Sequence, residues 1–280
     1  MFCELFGFSK QAYYKHQSLK KTSGSKILKL KESVLCLRKQ MPRIGVRKLY
    51  YLLNLPGKTH IGRDKLFSVL RDEGLLVSKR RKYTVTTNSK HWLRKYPNLI
   101  KDIHLERPEQ LWVADITYID TLDGNGYLHL ITDAYSKQIM GYELCENMEA
   151  ASTLKALKMA LAKRKYKESE LIHHSDRGLQ YCSKLYTDCL KGNRITISMT
   201  ENGDPYENAI AERVNGILKD EFGLSDKFEN IIHAKELTSQ SIKIYNHLSC
   251  SMLTPNQMHK QDKIKLISFK KKKFRHLENV

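Results

Sequence analysis

At 280 residues, 41% hydrophobic and 9% aromatic, the chain has room for a full enzymatic core plus a smaller module, with the make-up of a globular protein. No run approaches the ~20 apolar residues that a bilayer-spanning helix needs, and the start, with Glu4 early, does not read as a secretory signal, so the cytoplasm is the expected compartment. The net charge of +19 points to a polyanionic partner, and a membrane surface is disfavoured because the basic region lacks the apolar face of an interfacial helix.

The charge is unevenly spread. Residues 1–107 hold 25 Lys and Arg against 7 Asp and Glu, residues 108–259 hold 16 against 21, and residues 260–280 hold 8 against 2. A basic arm, a slightly acidic middle and a basic tail suit a nucleic acid gripped from both ends. The six cysteines include no Cys-x-x-Cys pair and no zinc-ligand spacing, and a chain of this length needs no disulfide staples.

Three apolar stripes of helical period come first: Ile27, Leu30, Val34 and Leu37; Val46, Leu49, Tyr50 and Leu53; Leu66, Val69 and Leu70, with Phe67 beside them. They predict three short helices that pack together. Pro56 and Gly57 break the second from the third, which starts at Gly62-Arg63-Asp64-Lys65. Helix, turn and helix fit a DNA reader with Arg63 and Lys65 facing a groove, although such modules also serve as protein interfaces. The run Lys79-Arg80-Arg81-Lys82 cannot bury four adjacent cations, so Arg80 and Arg81 are expected to meet phosphates. Residues 1–82 are therefore read as a basic helical DNA-binding region and 83–107 as a linker.

From residue 108 the pattern changes. Strands are expected at 112–119, 127–134, 139–145, 171–174 and 195–199, with a turn at Asp123-Gly-Asn-Gly126. Helices are expected at 150–165, 183–192 and 206–222. Three consecutive strands followed by alternating helices and strands describe an α/β fold, a mixed five-stranded sheet with flanking helices. The catalytic core is placed at 108–225, a helical extension at 226–260 and a basic tail at 261–280.

Carboxylates are out of place in apolar strands unless cations pair with them. Asp115 lies inside the first strand, Asp176 ends the fourth, and Glu212 lies on the last core helix with Asn208, Asn215 and Lys219 on its face. Three converging carboxylates could hold two hard divalent ions ~4 Å apart for in-line displacement at phosphorus. Local roles are equally open on these grounds alone: Asp115 bonding nearby backbone, Asp176 capping a turn, Glu212 pairing with Lys219. Asp133 could be a fourth metal-facing carboxylate, but a structural hydrogen-bonding role near the centre of the fold is the favoured reading. His173 and His174 face opposite sides of their strand and cannot jointly chelate.

Trp112-Val-Ala-Asp115-Ile-Thr-Tyr-Ile119, His174-Ser-Asp176-Arg-Gly-Leu-Gln-Tyr181 and Ile197-Ser-Met-Thr-Glu-Asn-Gly-Asp-Pro-Tyr-Glu-Asn-Ala209 followed by Glu212 resemble the three acidic motifs of bacterial insertion-sequence transposases with a retroviral-integrase-like catalytic domain. Thirty-five residues separate Asp176 from Glu212, as in the D,D(35)E signature of that family, and Lys219 matches its basic residue. Ile44-Gly-Val-Arg-Lys-Leu-Tyr50 and Ile61-Gly-Arg-Asp64 resemble its upstream helix-turn-helix. The similarity spans about residues 26–258 and is greatest to the OrfB half of two-frame elements, whose OrfA partner supplies a further DNA-binding region. The resemblance implies an RNase H-like core, Asp115, Asp176 and Glu212 as catalytic residues and as ligands of two Mg²⁺ or Mn²⁺ ions, and nicking at element ends followed by strand transfer. It also implies Lys219 as a contact to terminal DNA, with double-stranded DNA, OrfA or an OrfA fusion, and further copies of the chain as partners. Arg177, Gln180 and Tyr181 are candidates for the DNA channel. Two departures stand out: Glu207 occupies a position usually held by Asp, and Tyr245-Asn-His-Leu248 lacks an Arg-Pro-containing segment, a short deletion compatible with weakened activity. A non-catalytic DNA-binding regulator and an RNase H-type nuclease are the alternatives.

Overall fold

The computed structural model describes residues 9–53, 61–78, 92–201, 208–248 and 254–260, and the chain divides into two compact units, Met1–Lys79 and Arg80–Val280. The expectations for Pro56 and Gly57, for Lys79 to Lys82 including Arg80 and Arg81, for Glu207 and for the basic tail lie outside the described residues.

The first unit holds α1 (Lys10–Gln40), α2 (Val46–Leu53) and α3 (Arg63–Asp72). Most of the apolar stripes are buried: Leu30 and Val34 of α1, Val46, Leu49 and Leu53 of α2, and Leu66, Val69 and Leu70 of α3, whereas Ile27, Leu37 and Tyr50 are half-buried and Leu52, outside the expected stripe, is buried as well. Helix α1 runs to 31 residues, far longer than the stripe starting at Ile27 suggests. The upstream residues carry no such stripe, but the helix contains no proline to stop it and is rich in Lys, a good helix former. Arg38 donates to Leu75 O at 2.6 Å and Arg43 to Ser78 O at 2.7 Å, which tie the segment after α3 back to this unit. Arg63 and Lys65 are exposed at the start of α3, Arg63 beside Asp64 at 3.1 Å.

The second unit is built on five strands, β1 (Leu111–Thr121), β2 (Gly124–Asp133), β3 (Ile139–Cys145), β4 (Ile172–Ser175) and β5 (Thr196–Met199). They lie in the order β3-β2-β1-β4-β5. The first three form an antiparallel meander, whereas β1 pairs with β4 and β4 with β5 in parallel. This is the mixed five-stranded sheet expected from the alternation of elements. Helices α4 (Ala150–Lys163), α5 (Leu179–Cys182), α6 (Lys184–Gly192), α7 (Ala209–Glu221), α8 (Ile231–His247) and α9 (Pro255–His259) complete the unit.

The central strand β1 is apolar on both faces at its start, as a strand with helices on each side must be. Trp112 and Ala114 join a core with Leu157 and Ala160 of α4 and Tyr186 and Leu190 of α6, whereas Leu111 and Val113 join Ala211 of α7 on the other face. Helix α4 lies so close to β3 that a Cβ on Gly141 would sit 2.0 Å from Ala156 O.

Residues 93–105, read as linker from their polarity, run along this unit instead: Leu93 and Tyr96 pack on one core cluster and Ile100, Ile103 and Leu105 on the other. Their apolar positions are too irregularly spaced for a helix or strand, which is why the sequence pattern passed over them. The C-terminal helices are integral to the same unit. Asn246 donates to Ile139 O at 3.1 Å and accepts from Ile139 N at 3.0 Å, so its amide takes the place of a backbone partner along the edge strand β3.

Candidate active site

The sheet registers place the acidic residues. Val113 pairs with His174 in the parallel β1–β4 ladder, so the same register carried two places further sets Asp115 beside Asp176. Both share the parity of Leu111, Val113 and Ile172, which pack toward α7. Two carboxylates from distant parts of the sequence thus sit on one face, where neighbouring parallel strands end.

Helix α7 delivers the third. Its buried stripe of Ala211, Val214, Asn215 and Leu218 lies against the sheet, and Glu212 stands in its first turn, exposed. Two asparagines fix this helix to β1: Asn208 donates to Ala114 O at 3.1 Å and Asn215 to Asp115 Oδ2 at 2.6 Å. The sequence had put both on the face of Glu212 without assigning them work. Their helical spacing from Glu212, −4 and +3, was the available signal.

Asp115 accepts from Ile116 N at 2.9 Å through Oδ1 and from Asn215 through Oδ2. Asp176 Oδ1 accepts from Gly178 N at 3.0 Å, and a Cβ on Gly178 would press on that same oxygen at 3.0 Å and on Gln180 Oε1 at 2.9 Å. The local bonds that the sequence allowed for Asp115 and Asp176 are therefore present. They do not balance the charge: burial, with Asp176 and Glu212 nearby, raises the Asp115 carboxyl from its usual range to about 7, against the opposing bonds from Ile116 N and Asn215. Among the described residues no group of three His, Cys, Asp or Glu side chains is close enough to hold a metal as it stands. The donor chemistry nevertheless fits a hard divalent cation, because two carboxylates are forced together on one face, and burial with the neighbouring carboxylates holds the Asp115 pKa at about 7.

Lys219 is half-buried on α7, and among the described residues it forms no ion pair, so it does not take up Glu212 as its partner. Burial lowers its pKa, while Asp120 and Asp115 act in the opposite sense and mark its side of the site. Arg177 is half-buried next to Asp176, and its charge reaches both Cys182 and Glu201. Tyr181 is no channel residue: it is 1% exposed and stacks edge-on with Tyr186 inside the core. Gln180 donates to Met148 O at 3.0 Å.

The histidines of β4 are packing groups. His173 Nε2 meets Tyr186 OH at 2.9 Å on one face and His174 Nδ1 meets Ser198 Oγ at 2.9 Å on the other, and burial pushes the His173 imidazolium down to about 3. Asp133 accepts from Glu109 N at 2.6 Å and from Ser136 N and Oγ, both at 2.7 Å, which gives it the structural role expected. The described cysteines, Cys36, Cys145, Cys182 and Cys189, are all free thiols.

Residues 106–205 match the model of the integrase core domain, and residues 193–255 match a second model of that description. The 31 kDa protein of insertion element IS600 from Shigella sonnei is 35% identical over 247 residues, 87% of this chain and 90% of that one. A putative transposase for insertion sequence element IS986/IS6110 from Mycobacterium tuberculosis is 31% identical over 209 residues, 72% of this chain and 75% of that protein. The chain belongs to the insertion-sequence transposases with an integrase core. Among solved structures, the simian T-cell lymphotropic virus intasome in complex with PP2A regulatory subunit B56 gamma is similar at 19% identity and a TM-score of 0.49, over 79% of this chain and 72% of that chain. The sheet order and the integrase-core match together make the second unit an RNase H-like domain.

Proposed function

We propose that Asp115, Asp176 and Glu212 form the catalytic triad of this transposase, a polynucleotidyl transferase that cuts DNA at the ends of its element and joins them to a target. The observation that carries this reading is the placement of Asp115 and Asp176 side by side on one face, where burial and the neighbouring carboxylates hold the Asp115 pKa at about 7. Asp115, Asp176 and Glu212 would hold two Mg²⁺ or Mn²⁺ ions. When bound, these supply Lewis-acid activation of the attacking oxygen and stabilisation of the leaving one. The protein groups do the rest. Asn215 holds the Asp115 carboxylate in one orientation, Asn208 keeps the start of α7 against β1, and Gly178 leaves room for Asp176. Lys219 offers its ammonium to a phosphate of the terminal DNA, and Arg177 does so on the Asp176 side. Water serves as the nucleophile for nicking and a DNA 3′-hydroxyl for strand transfer, since both are displacements at phosphorus.

Residues 1–82 act as a helix-turn-helix DNA reader with Arg63 and Lys65 on the groove side, supported by the exposed start of α3 and by the charge of the arm. Arg80 and Arg81 meet phosphates, residues 83–92 join reader to core, 93–107 pack with the core at 108–225, 226–260 is its extension and 261–280 a basic tail. The partners are double-stranded DNA, OrfA or an OrfA fusion, and further copies of the chain on DNA. No described helix is long and apolar enough to cross a membrane, and the cytoplasm, where the element's DNA lies, is the proposed compartment. Pre-cleaved element-end duplex incubated with supercoiled plasmid tests the function: joined product is expected with Mn²⁺ and none with EDTA, and joining in EDTA or in neither condition refutes it.

A further inference from the structure

The segment before β1 ends beside the active site and carries an exposed indole. Met199 N donates to Pro97 O at 3.2 Å, and Leu99 N to Ser198 Oγ at 2.9 Å, so residues 97–99 run along the outer edge of β5. Met199 pairs in turn with Ser175, the residue before Asp176. Pro97 therefore lies two strand spacings, ~10 Å, from the start of the Asp176 turn. Trp92 stands five residues further upstream, at most ~17 Å more of chain, so a single-stranded end of about eight nucleotides at ~3.4 Å per step spans the distance. Upstream, Leu93 and Tyr96 are packed on the core and hold the segment in place, while Trp92 between them and the preceding chain is 92% exposed.

Cations surround this segment. Arg94 lies 5.2 Å from the centroid of the Tyr96 ring and Lys191 5.8 Å from it. Lys95 acts on the Cys182 thiol, as Arg177 and Asp176 do, which puts its charge within electrostatic reach of that thiol. A large aromatic ring left in water costs free energy unless something covers it, and interleaved rings and cations are the chemistry by which proteins hold single-stranded nucleic acid: bases stack on the rings and phosphates meet the cations.

We propose that the Trp92–Tyr96 segment is a platform for unpaired nucleotides at the DNA end being processed, with Trp92 stacking on a base and Arg94, Lys95 and Lys191 holding the phosphates beside it. The proposal rests on the transposase reading and adds a subsite to it. Neither the acidic motifs nor the helix-turn-helix includes these residues.

The chain has two tryptophans, and Trp112 is fully buried, so contact quenching, by acrylamide or a stacked base, reports on Trp92 selectively. The full-length protein, in EDTA to prevent turnover, is titrated with a duplex bearing a single-stranded end of about eight nucleotides and with a blunt duplex of the same length. The overhang duplex is expected to quench Trp92 and shield it from acrylamide. Trp92→Ala is expected to bind that duplex about five- to 150-fold more weakly, from ~1–3 kcal/mol of stacking per base. It should bind the blunt duplex within about twofold of wild type, and Trp92→Phe, which keeps a ring, should retain most of the overhang affinity. The buried Trp112 emission verifies that each variant is folded. If wild type binds the overhang duplex while Trp92 stays unquenched and Trp92→Ala binds equally well, the platform is refuted and the transposase reading stands. Shielding of Trp92 by raising protein concentration alone would assign it to contact with a second copy and also refute the platform. Failure of the wild type to bind either duplex would overturn the transposase reading along with it.

Discussion

Asp115 concentrates the chemistry of the site in one side chain. Its pKa is raised to about 7 because burial and the neighbouring carboxylates disfavour the charge. The folded state therefore keeps a proton that the unfolded chain has lost between about pH 4 and pH 7, so stability falls as pH rises through that window. Asp115→Asn removes the ionisation, and the unpartnered Oδ1 of Asn215 can turn to accept from the new amide. The metal-free variant is expected to be more stable than wild type by on the order of 2 kcal/mol at about pH 7.5, several degrees in Tm, with the gap shrinking toward about pH 5. Calorimetric melting at the two pH values measures this. A variant melting below wild type at the higher pH would show that Asp115 is not held against its charge.

At the scale of elements, the close contact between α4 and β3 depends on Gly141, where a Cβ would lie 2.0 Å from Ala156 O. Backbone cannot yield as a side-chain end would, so Gly141→Ala is expected to cost about 3 kcal/mol, read as a lowered denaturation midpoint. An unchanged midpoint would mean that α4 can ride further from the sheet.

The short helix α9 is held by a buried charge network. His259, 1% exposed, sets Nε2 3.0 Å from Glu109 Oε1 and Nδ1 3.1 Å from Ser136 Oγ, whose single proton is spent on Asp133. Both ring nitrogens therefore donate, and the ring is an imidazolium. Burial opposes that charge, but the bonds to Asp133 and Glu109 outweigh it and raise the His259 pKa. Burial would raise the Glu109 pKa, but bonds from His259, Lys165 N and Tyr166 N lower it. The histidine contribution is fully present below about pH 6.5 and is lost as pH rises through its raised folded value. The glutamate contribution is present above about pH 4.5 and is lost as pH falls. Hydrogen-exchange protection of α9 is thus expected to be greatest between those values and to fall on the alkaline side. His259→Ala, which leaves Glu109 buried without its cation, is expected to cost about 3 kcal/mol or more and to flatten the alkaline decline. A profile unchanged by the substitution would take His259 out of the account.

At the scale of the whole molecule, what the sequence disclosed follows from the range of the physics. Period-two and period-3.6 burial is local, so β3 was legible to its last residue and α7 to within a few. Asp115 and Asp176 were conspicuous because charge is costly in apolar strands. Their adjacency needed the β1–β4 register, which joins residues some sixty positions apart. The Glu109–His259 bond spans 150 positions and leaves no local pattern. Residues 93–105 read as linker because their packing follows the outside of a finished sheet rather than a period of their own. The basic arm and tail were plain from composition.

The central claim is that the Asp115–Asp176 pair, with Glu212, cuts DNA. Labelled element-end DNA incubated with Mn²⁺ and either wild type or Asp176→Asn tests it most directly. Wild type is expected to release the nicked strand, and the variant, whose substitution keeps the shape of the side chain and removes one anionic ligand, to release none. Cleavage by both proteins, or by neither, would contradict the assignment.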